Sequence, residues 1–337
     1  MRKLLNDPFA CVDEMIGGIL VAYPGLVETT PSGRGLVYTG PTADRRARIV
    51  IGGGSGHEPA FFGYLGPGLA DAAAVGNVFA SPSAEPAIEA AERLAPAEGV
   101  LFLYGNYGGD VMNFDMAAEL LADRGMTSET VLVTDDVSSA PPAERERRRG
   151  VAGDVVVLKA AGAQADEGAS LADVAAAARL ANDRTRTMGV CLGPCTVPTA
   201  GVPTFELPDG EMDIGMGVHG ESGLRRAPTA PADDVADELL DLILADGATE
   251  TGDPVLVLVN TLGATPVMEA FIVLRRVAER FRAMGIELHR ALVGEYVTSL
   301  EMAGLSLTVT ALDPELRRLV DAPARPLCAP SLGSDSW

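Results

Sequence analysis

Short apolar runs recur along the chain and predict strands that are buried on both faces. They are rich in β-branched residues and lack the alternation that is typical of a strand with one solvent-facing side. The predicted strands are 48–51, 100–104, 130–134, 155–158, 188–192, 255–260 and 305–312. Segments with helical spacing or helix-capping residues lie between them, and the predicted helices are 84–94, 114–122, 170–182, 233–245 and the stretch between Pro266 and Gly285.

This order of elements predicts two domains. Strands that alternate with helices indicate a doubly wound α/β layer in the first half of the chain. After Leu192 the sequence becomes rich in Gly, Pro, Thr and Glu, which is typical of loops and hairpins. We therefore predict a doubly wound α/β domain over residues 1–190 and a smaller α+β domain over residues 191–337. The charged run 144–149 lies in a proline-containing loop, and we expect it to be solvated surface.

The charge balance excludes some classes of partner. The 337 residues include 26 Lys and Arg against 47 Asp and Glu, so the formal net charge is −21. Such a chain repels phosphodiester backbones and anionic membrane surfaces, so we expect neither nucleic acid nor membrane as a partner. The N-terminal segment has acidic residues and no apolar core, and no uncharged apolar run reaches about 18 residues. We therefore predict a cytoplasmic protein.

The four cysteines do not form the framework of a small disulfide-rich protein. Cys191 and Cys195 are four residues apart, with no histidine or third cysteine nearby in the sequence. We predict two partly buried thiols in a reducing compartment. A metal site at this pair is the alternative.

A glycine-rich turn, GGGSGHEP at 52–59, follows the predicted strand that ends at Ile51. Its backbone N–H groups suit an anion or hydroxyl groups, because glycines permit a close approach. A tight turn without a ligand is the alternative. The dinucleotide fingerprint fails, because its last glycine position falls on His57 or Pro59. The phosphate loop of nucleotide triphosphatases fails as well, because no lysine follows Gly56. The turn therefore suits a small polar ligand.

Two of the three histidines lie among glycines. His57 belongs to the 52–59 turn, and His219 lies in GMGVHGESG at 215–223. His289 has no such setting, and we predict a structural role for it. Asp110 follows the predicted strand 100–104, so it should reach the same sheet edge as the turn. A neutral histidine and a carboxylate there suit acid–base chemistry on a hydroxyl, although Asp110 also suits the N-cap of the next helix.

Eight segments together carry a resemblance to a known family. They are GGGSGHEP (52–59), NVFASPS (77–83), NYGGDVMNFD (106–115), RRGVAG (148–153), CTVPTAG (195–201), MGVHGESG (216–223), NTLGATP (260–266) and YVTSLEMAG (296–304). In this order they resemble the substrate-binding K subunit of dihydroxyacetone kinases nearly end to end. The resemblance implies a two-domain subunit that forms a homodimer.

The resemblance also implies the roles of individual residues. His219 would attack the ketone carbon of dihydroxyacetone and hold the substrate as a covalent hemiaminal. His57 and Asp110 would orient and deprotonate the reacting hydroxyl, and four residues would line the ligand: Gly54, Ser55, Gly56 and Ser81. A hemiaminal requires a carbonyl, so a short ketose fits and glycerol does not.

The resemblance places the nucleotide elsewhere. ADP or ATP with Mg²⁺ would lie on a separate helical L subunit or a fused domain, and in one branch a phosphohistidine carrier protein recharges the L subunit. Because this chain ends at Trp337, we expect it to bind no cofactor or metal itself and to need an L partner.

Two positions depart from the family pattern. Phe61 stands where many members have histidine, and Gly105 stands where many have lysine. A longer ketose such as a tetrulose, or an altered donor arrangement, is therefore an alternative. A non-catalytic ketose sensor that controls a regulator is another, and the presence of Asp110 with both histidines favours catalysis over it.

Overall fold

The computed structural model describes residues 3–249 and 252–332. The helices are α1 (Cys11–Ala22), α2 (Ala84–Leu94), α3 (Gly108–Asp123), α4 (Asp154–Asp166), α5 (Leu171–Arg184), α6 (Ala232–Ala245), α7 (Val267–Met284) and α8 (Pro314–Asp321). The strands are β1 (Val27–Thr29), β2 (Gly35–Tyr38), β3 (Ala47–Ser55), β4 (Ala72–Val78), β5 (Gly99–Gly105), β6 (Ser128–Val133), β7 (Thr185–Gly193), β8 (Glu211–Ile214), β9 (Arg225–Pro228), β10 (Val255–Thr261), β11 (Leu288–Gly294) and β12 (Ala303–Ala311).

The first sheet has helices on both faces, as predicted for a doubly wound layer. Its order is β1-β2-β4-β3-β5-β6, with β4, β3, β5 and β6 parallel. Successive residues of β3 enter different cores, since Ile49 and Ile51 pack with α1, α4 and α5 while Val50 packs with α2 and α3. Burial on both faces explains why the strand shows no alternation of polar and apolar residues.

The second sheet is mostly antiparallel and confirms the predicted α+β class of the second part. Its order is β11-β10-β12-β7-β8-β9, and only β10 and β11 among its named pairs run parallel. Helices α6 and α7 cover one face, where Val257 is buried. On the other face Leu256 and Leu258 join the core of the first unit. The domain boundary at residue 190 stays a prediction; β7 begins at Thr185, and α8 packs on α4.

One predicted strand is wrong. Residues 155–158 belong to α4, which is buried around most of its circumference. A helix without a polar face has no amphipathic period, so its run of valines could not be distinguished from a buried strand. The other predicted strands and helices are present, and Gly285 ends α7 with a φ of 74°.

The prediction that the charged run 144–149 is solvated surface is wrong for its last two residues. Arg148 is completely buried, and its guanidinium donates two hydrogen bonds to Asp246 at 2.8 and 2.7 Å. Arg149 is partly buried and pairs with Asp136 at 2.7 Å. Bidentate pairing with a carboxylate is what permits an arginine to be buried at such positions.

Within the described ranges, no helix combines the length and apolar character needed to cross a bilayer.

Candidate functional site

A cavity forms where the first sheet meets the loops of the second. Its free interior volume is about 30 Å³. The first sheet contributes Gly52–Gly54 near the end of β3, His57 just after β3, and Asp110 after β5. The loop between β8 and β9 contributes His219. The carboxyl ends of parallel strands are the usual ligand-binding edge of such a sheet.

The loop between β11 and β12 holds the glycine turn in place. The backbone N–H of Thr298 donates to the carbonyl of His57 at 3.2 Å, and that of Leu300 donates to Gly56 at 2.7 Å. Gly56 has a φ of 97°, a backbone conformation that favours glycine. The turn that presents His57 is therefore fixed by residues more than 240 positions away in the sequence.

His57 is neutral and has a defined tautomer. Its Nδ1 lies 2.8 Å from the carbonyl oxygen of Thr298, which can only accept, so Nδ1 carries the proton. Burial, together with charge on His219, lowers the pKa of His57 to about 3. Its Nε2 therefore can only accept, and it lies 3.0 Å from Nε2 of His219, which donates to it when that nitrogen carries a proton.

His219 is oriented by Glu221. Its Nδ1 lies 3.0 Å from Oε1 of Glu221, and its backbone N–H donates to Oε2 at 2.9 Å. The rings of Phe79 and Tyr107 contact the imidazole edge-on, with centroids 5.1 and 4.9 Å away. Because the carboxylate accepts from Nδ1, Nε2 is the nitrogen that faces the cavity and can act as a nucleophile when it carries no proton.

Glu221 is itself held ionised. Burial alone would raise the pKa of Glu221, but the hydrogen bond and charge of His219 and the charge of Arg149 outweigh it and lower the pKa to about 2. Nη1 of Arg149 lies 3.7 Å from Oε2 of Glu221. A chain of Arg149, Glu221 and His219 thus fixes the imidazole of His219, as a third group orients the base in catalytic triads.

Asp110 has the properties of a general base. It lies in the first turn of α3 and is 9% exposed, and its Oδ1 has no hydrogen-bond partner. Burial raises the pKa of Asp110 to about 6, while Ser81 and His219 oppose the shift. A carboxylate with this pKa is ionised at neutral pH and still binds a proton well. Its side chain does not cap α3, so the N-cap alternative is not what the structure shows.

The predicted ligand-lining residues divide between two places. Gly54 lines the cavity together with His57, Asp110 and His219. Ser55 and Gly56 line a neighbouring groove, and the hydroxyl of Ser55 donates to the carbonyl of Gly76 at 2.8 Å. Ser81 accepts from the amide of Asn113 on α3 at 3.2 Å. The roles of these residues as ligand contacts stay predictions.

The remaining candidate residues lie outside the cavity. His289 on β11 bonds to Asp321 at 2.9 Å. Cys191 and Cys195 are buried in a small apolar cluster and are free thiols. In the part of the chain that the structure describes, no three His, Cys, Asp or Glu side chains come together in a group that could hold a metal.

Sequence reasoning missed three residues of the site. Glu221 and Tyr107 lie inside segments that were singled out, two residues from His219 and three from Asp110, and that proximity was the available signal. Asp154, which also lines the cavity, precedes the valine run that was interpreted as a strand. No spacing or motif in the sequence connected it to the site.

A comparison with known families decides where this chain belongs. The model of the Dak1 domain matches residues 17–327. The chain belongs to the Dak1 domain family. The resemblance inferred from the eight segments is therefore confirmed.

Named relatives of this Dak1 protein include kinases for three- and four-carbon ketoses. It is 46% identical to the protein named PTS-dependent dihydroxyacetone kinase 2, dihydroxyacetone-binding subunit DhaK, of Listeria innocua, across 96% of this chain and 97% of that protein. It is 44% identical to D-erythrulose kinase of Mycolicibacterium smegmatis, across 96% of this chain but 56% of that protein.

Solved structures share the fold over nearly the whole chain. The dihydroxyacetone kinase operon co-activator Dha-DhaQ is 29% identical, with a TM-score of 0.87 across 94% of this chain and 97% of that one. The dihydroxyacetone kinase from C. freundii, in complex with AMP-PNP and Mg²⁺, is 31% identical with a TM-score of 0.87, across 98% of this chain and 61% of that one. The predicted fold class is therefore confirmed.

Proposed function

We propose that this chain is the substrate-binding subunit of a ketose kinase of the dihydroxyacetone type. It holds a short ketose covalently on His219 and presents a terminal hydroxyl for phosphorylation. The observation that carries the proposal is the meeting of His219, neutral His57 and the unpartnered Oδ1 of Asp110 in one cavity. The 46% identity to a dihydroxyacetone-binding subunit supports the same class of substrate.

Formation of the hemiaminal needs only groups of this chain. Nε2 of His219 attacks the carbonyl carbon, and the C=O π pair moves to the oxygen. The oxygen takes up a proton and the imidazole loses one from Nδ1, which faces Glu221 at 3.0 Å. The overall step adds an N–H bond across C=O, so atoms and charge balance. The ligand replaces the contact between His219 and His57, which leaves Nε2 of His57 free to accept from a ligand hydroxyl.

Asp110 then serves the transfer itself. As its carboxylate takes the proton of the terminal hydroxyl, that oxygen becomes the nucleophile toward a phosphoryl group. The covalent bond to His219 holds the hydroxyl in position, and positioning is a large part of what phosphoryl transfer requires.

The residues around this cavity lack the lysine of a nucleotide-binding phosphate loop. The glycine turn has no adjacent lysine, and both lysines of the chain are engaged elsewhere: Lys3 pairs with Glu301, and Lys159 donates to the carbonyl of Leu319 at 2.6 Å. We therefore propose that an L-type partner subunit carries ADP or ATP with Mg²⁺. A phosphohistidine carrier protein would recharge that partner if the donor is not free ATP.

The apolar side chains on α3 support a docking surface for that partner. Met112 and Met116 are exposed one helical turn apart, on the helix whose first turn carries Asp110.

The four cysteines are free thiols, which fits a reducing compartment such as the cytoplasm.

A second surface supports a homodimer. Met268, Phe271 and Ile272 of α7 are exposed, and β11 beside α7 is the edge strand of its sheet. An exposed apolar helix face next to an open sheet edge is typical of an interface between copies.

The function is tested by a ligand screen followed by turnover. We expect ¹³C-labelled dihydroxyacetone to lose its carbonyl signal on binding, and crystals soaked with it to show continuous density from His219 to the ketose carbon. Glycerol should not bind covalently. Addition of an L partner with ATP, or with a phosphorylated carrier, should yield phosphorylated ketose. Covalent binding without turnover for any tested donor would indicate a ketose sensor instead, and no covalent binding would refute the proposal.

The dimer is tested by sedimentation. We expect wild-type protein to sediment at twice the chain mass of 34.9 kDa. Replacing Phe271 and Met268 with glutamate should give monomers, because two charges would be buried at the interface. Val21→Glu, on the exposed side of α1, is the control and should remain dimeric. A monomeric wild type would contradict this proposal.

A further inference from the structure

Two glycines of the loop that carries His219 make room for side chains from the other side of the molecule. A Cβ atom at Gly215 would lie 2.6 Å from Cβ of Ser138, and one at Gly217 would lie 2.5 Å from Nη1 of Arg149. Ser138 and Arg149 both belong to the segment between β6 and α4. The glycines of this loop therefore admit residues from the first sheet, in addition to presenting an imidazole.

Asp136 holds the guanidinium of Arg149 in a fixed orientation. Nε of Arg149 donates to Oδ2 of Asp136 at 2.8 Å, and Nη2 lies 2.7 Å from the same oxygen. The two side chains are 16% and 5% exposed. Such a pair keeps its geometry, because separating the partners would leave each charge buried and uncompensated.

The other edge of the guanidinium faces Glu221. Nη1 of Arg149 lies 3.7 Å from Oε2 of Glu221, the oxygen that accepts the backbone N–H of His219. Oε1 of the same carboxylate lies 3.0 Å from Nδ1 of His219. A side chain at Gly217 would overlap both Oε2 and Nη1, so the glycine leaves the space in which Arg149 and Glu221 meet. Charges thus alternate from Asp136 through Arg149 and Glu221 to the imidazole.

Arg149 is a cation that influences the site without touching the cavity. Burial alone would lower the pKa of Arg149, but the charges of Asp136 and Glu221 outweigh burial and raise it, so the guanidinium stays charged. Arg149 is not among the described residues that line the cavity. Its positive charge opposes the uptake of a second proton by His219, because a cation disfavours another positive charge nearby.

We propose that Arg149 is a positioning residue for ketose capture: it holds Glu221 against His219 and balances its charge, so that the imidazole is oriented and remains unprotonated at Nε2. This inference rests on the proposed function. Without the guanidinium, the carboxylate of Glu221 would still bind Nδ1, but it would also stabilise an imidazolium. An imidazolium has no lone pair with which to attack a carbonyl carbon.

Three other titratable groups face His219. His57 lies 3.0 Å from its Nε2, Tyr107 contacts its ring edge-on, and Asp110 lines the same cavity. Burial, with the charge of His219, lowers the pKa of His57 to about 3, and burial raises the pKa of Tyr107 well above its ordinary value. Neither group changes its charge in the neutral range. Asp110 has a pKa of about 6, and its titration is common to the wild type and the variants compared below.

The experiment measures ketose capture as a function of pH. The full chain is titrated with ¹³C-labelled dihydroxyacetone, and loss of the carbonyl signal reports covalent binding. We expect Arg149→Met to shift the acidic limit of capture upward by about one pH unit, because the opposing cation is gone. Capture on the acidic side would then be about tenfold weaker than in the wild type. Arg149→Lys keeps the charge and should restore most of the wild-type profile.

Asp136→Asn tests the same idea with the opposite sign. It leaves the positive charge of Arg149 less compensated, so we expect the acidic limit of capture to move to lower pH. The substitution conserves shape, which makes it the second variant if Arg149→Met fails to fold. Arg179→Met is the control, since Arg179 on α5 pairs with Glu129 and is about half exposed, and it should leave the profile unchanged.

The outcomes separate the two proposals. A wild-type pH profile in Arg149→Met, or in Asp136→Asn, would overturn the role of Arg149 and leave the proposed function intact. An equal loss of capture at every pH in Arg149→Met and Arg149→Lys would also overturn it, because it would assign Arg149 to packing alone. Failure of the wild type to capture the ketose at any pH would refute the proposed function.

Discussion

Replacement of His219 by glutamine is expected to abolish covalent capture of the ketose and to lower kcat/KM with an L partner by about 10³-fold or more. The amide of glutamine can occupy similar space and form hydrogen bonds, but it has no nucleophilic nitrogen to add to a carbonyl. The loss also includes the positioning that the covalent bond provides for the terminal hydroxyl. The measurements are ¹³C spectra of the bound ketose and steady-state turnover.

His289→Gln is the matched control for this prediction. His289 lies on β11 and bonds to Asp321, so its replacement should leave the carbonyl addition intact. Turnover of the His219→Gln protein at more than a tenth of the wild-type rate would show that the covalent bond is dispensable.

Replacement of Asp110 by asparagine is expected to lower kcat by about 10²- to 10⁴-fold while covalent ketose binding is retained. The amide cannot take up the hydroxyl proton, whereas the hemiaminal forms on His219 without it. Single-turnover kinetics with a preformed complex of the ketose and this chain separate the two steps. Asp123→Asn, at the exposed C-terminal end of the same helix, is the control and should retain wild-type kcat.

The pH dependence follows from the raised pKa of Asp110. Its carboxylate must be unprotonated to accept a proton, and its pKa is about 6. We therefore expect kcat of the wild type to be near its maximum at neutral pH and to fall about tenfold per pH unit below pH 6. The residual activity of Asp110→Asn should not show this fall. An unchanged acidic limb in the variant would assign the titration to another group and remove Asp110 from the role of base.

Most of the fold, and the residues that we propose as reacting groups, could be picked out from the sequence, because each carries a local pattern. The apolar runs of β3, β5 and β10 and the capping residue of α5 act through their own neighbours. His219 and the turn around His57 were recognised from glycines, which mark a backbone that approaches a ligand or adopts a positive φ. The acid–base role proposed for Asp110 was inferred from its place after a strand.

The errors share one physical cause: the residues are buried, and the neighbouring sequence carries no pattern that shows it. The valines of α4 lie in a helix without a polar face, so they were interpreted as a strand. Arg148 and Arg149 were interpreted as solvated because their carboxylate partners, Asp246 and Asp136, lie elsewhere in the chain. Neither a lost polar face nor a distant ion pair leaves a signal among adjacent residues.

By itself, the sequence determined most of the buried strands, the two histidines that lie among glycines, and the absence of a lysine beside the glycine turn. Only the tertiary structure decided how those groups meet. It brings Thr298 to His57 and Arg149 to Glu221, and it turns Asp154 into the cavity beside Gly105. These contacts join residues from different sheets and loops, and their hydrogen bonds and pKa shifts exist only when the packing of both sheets excludes water.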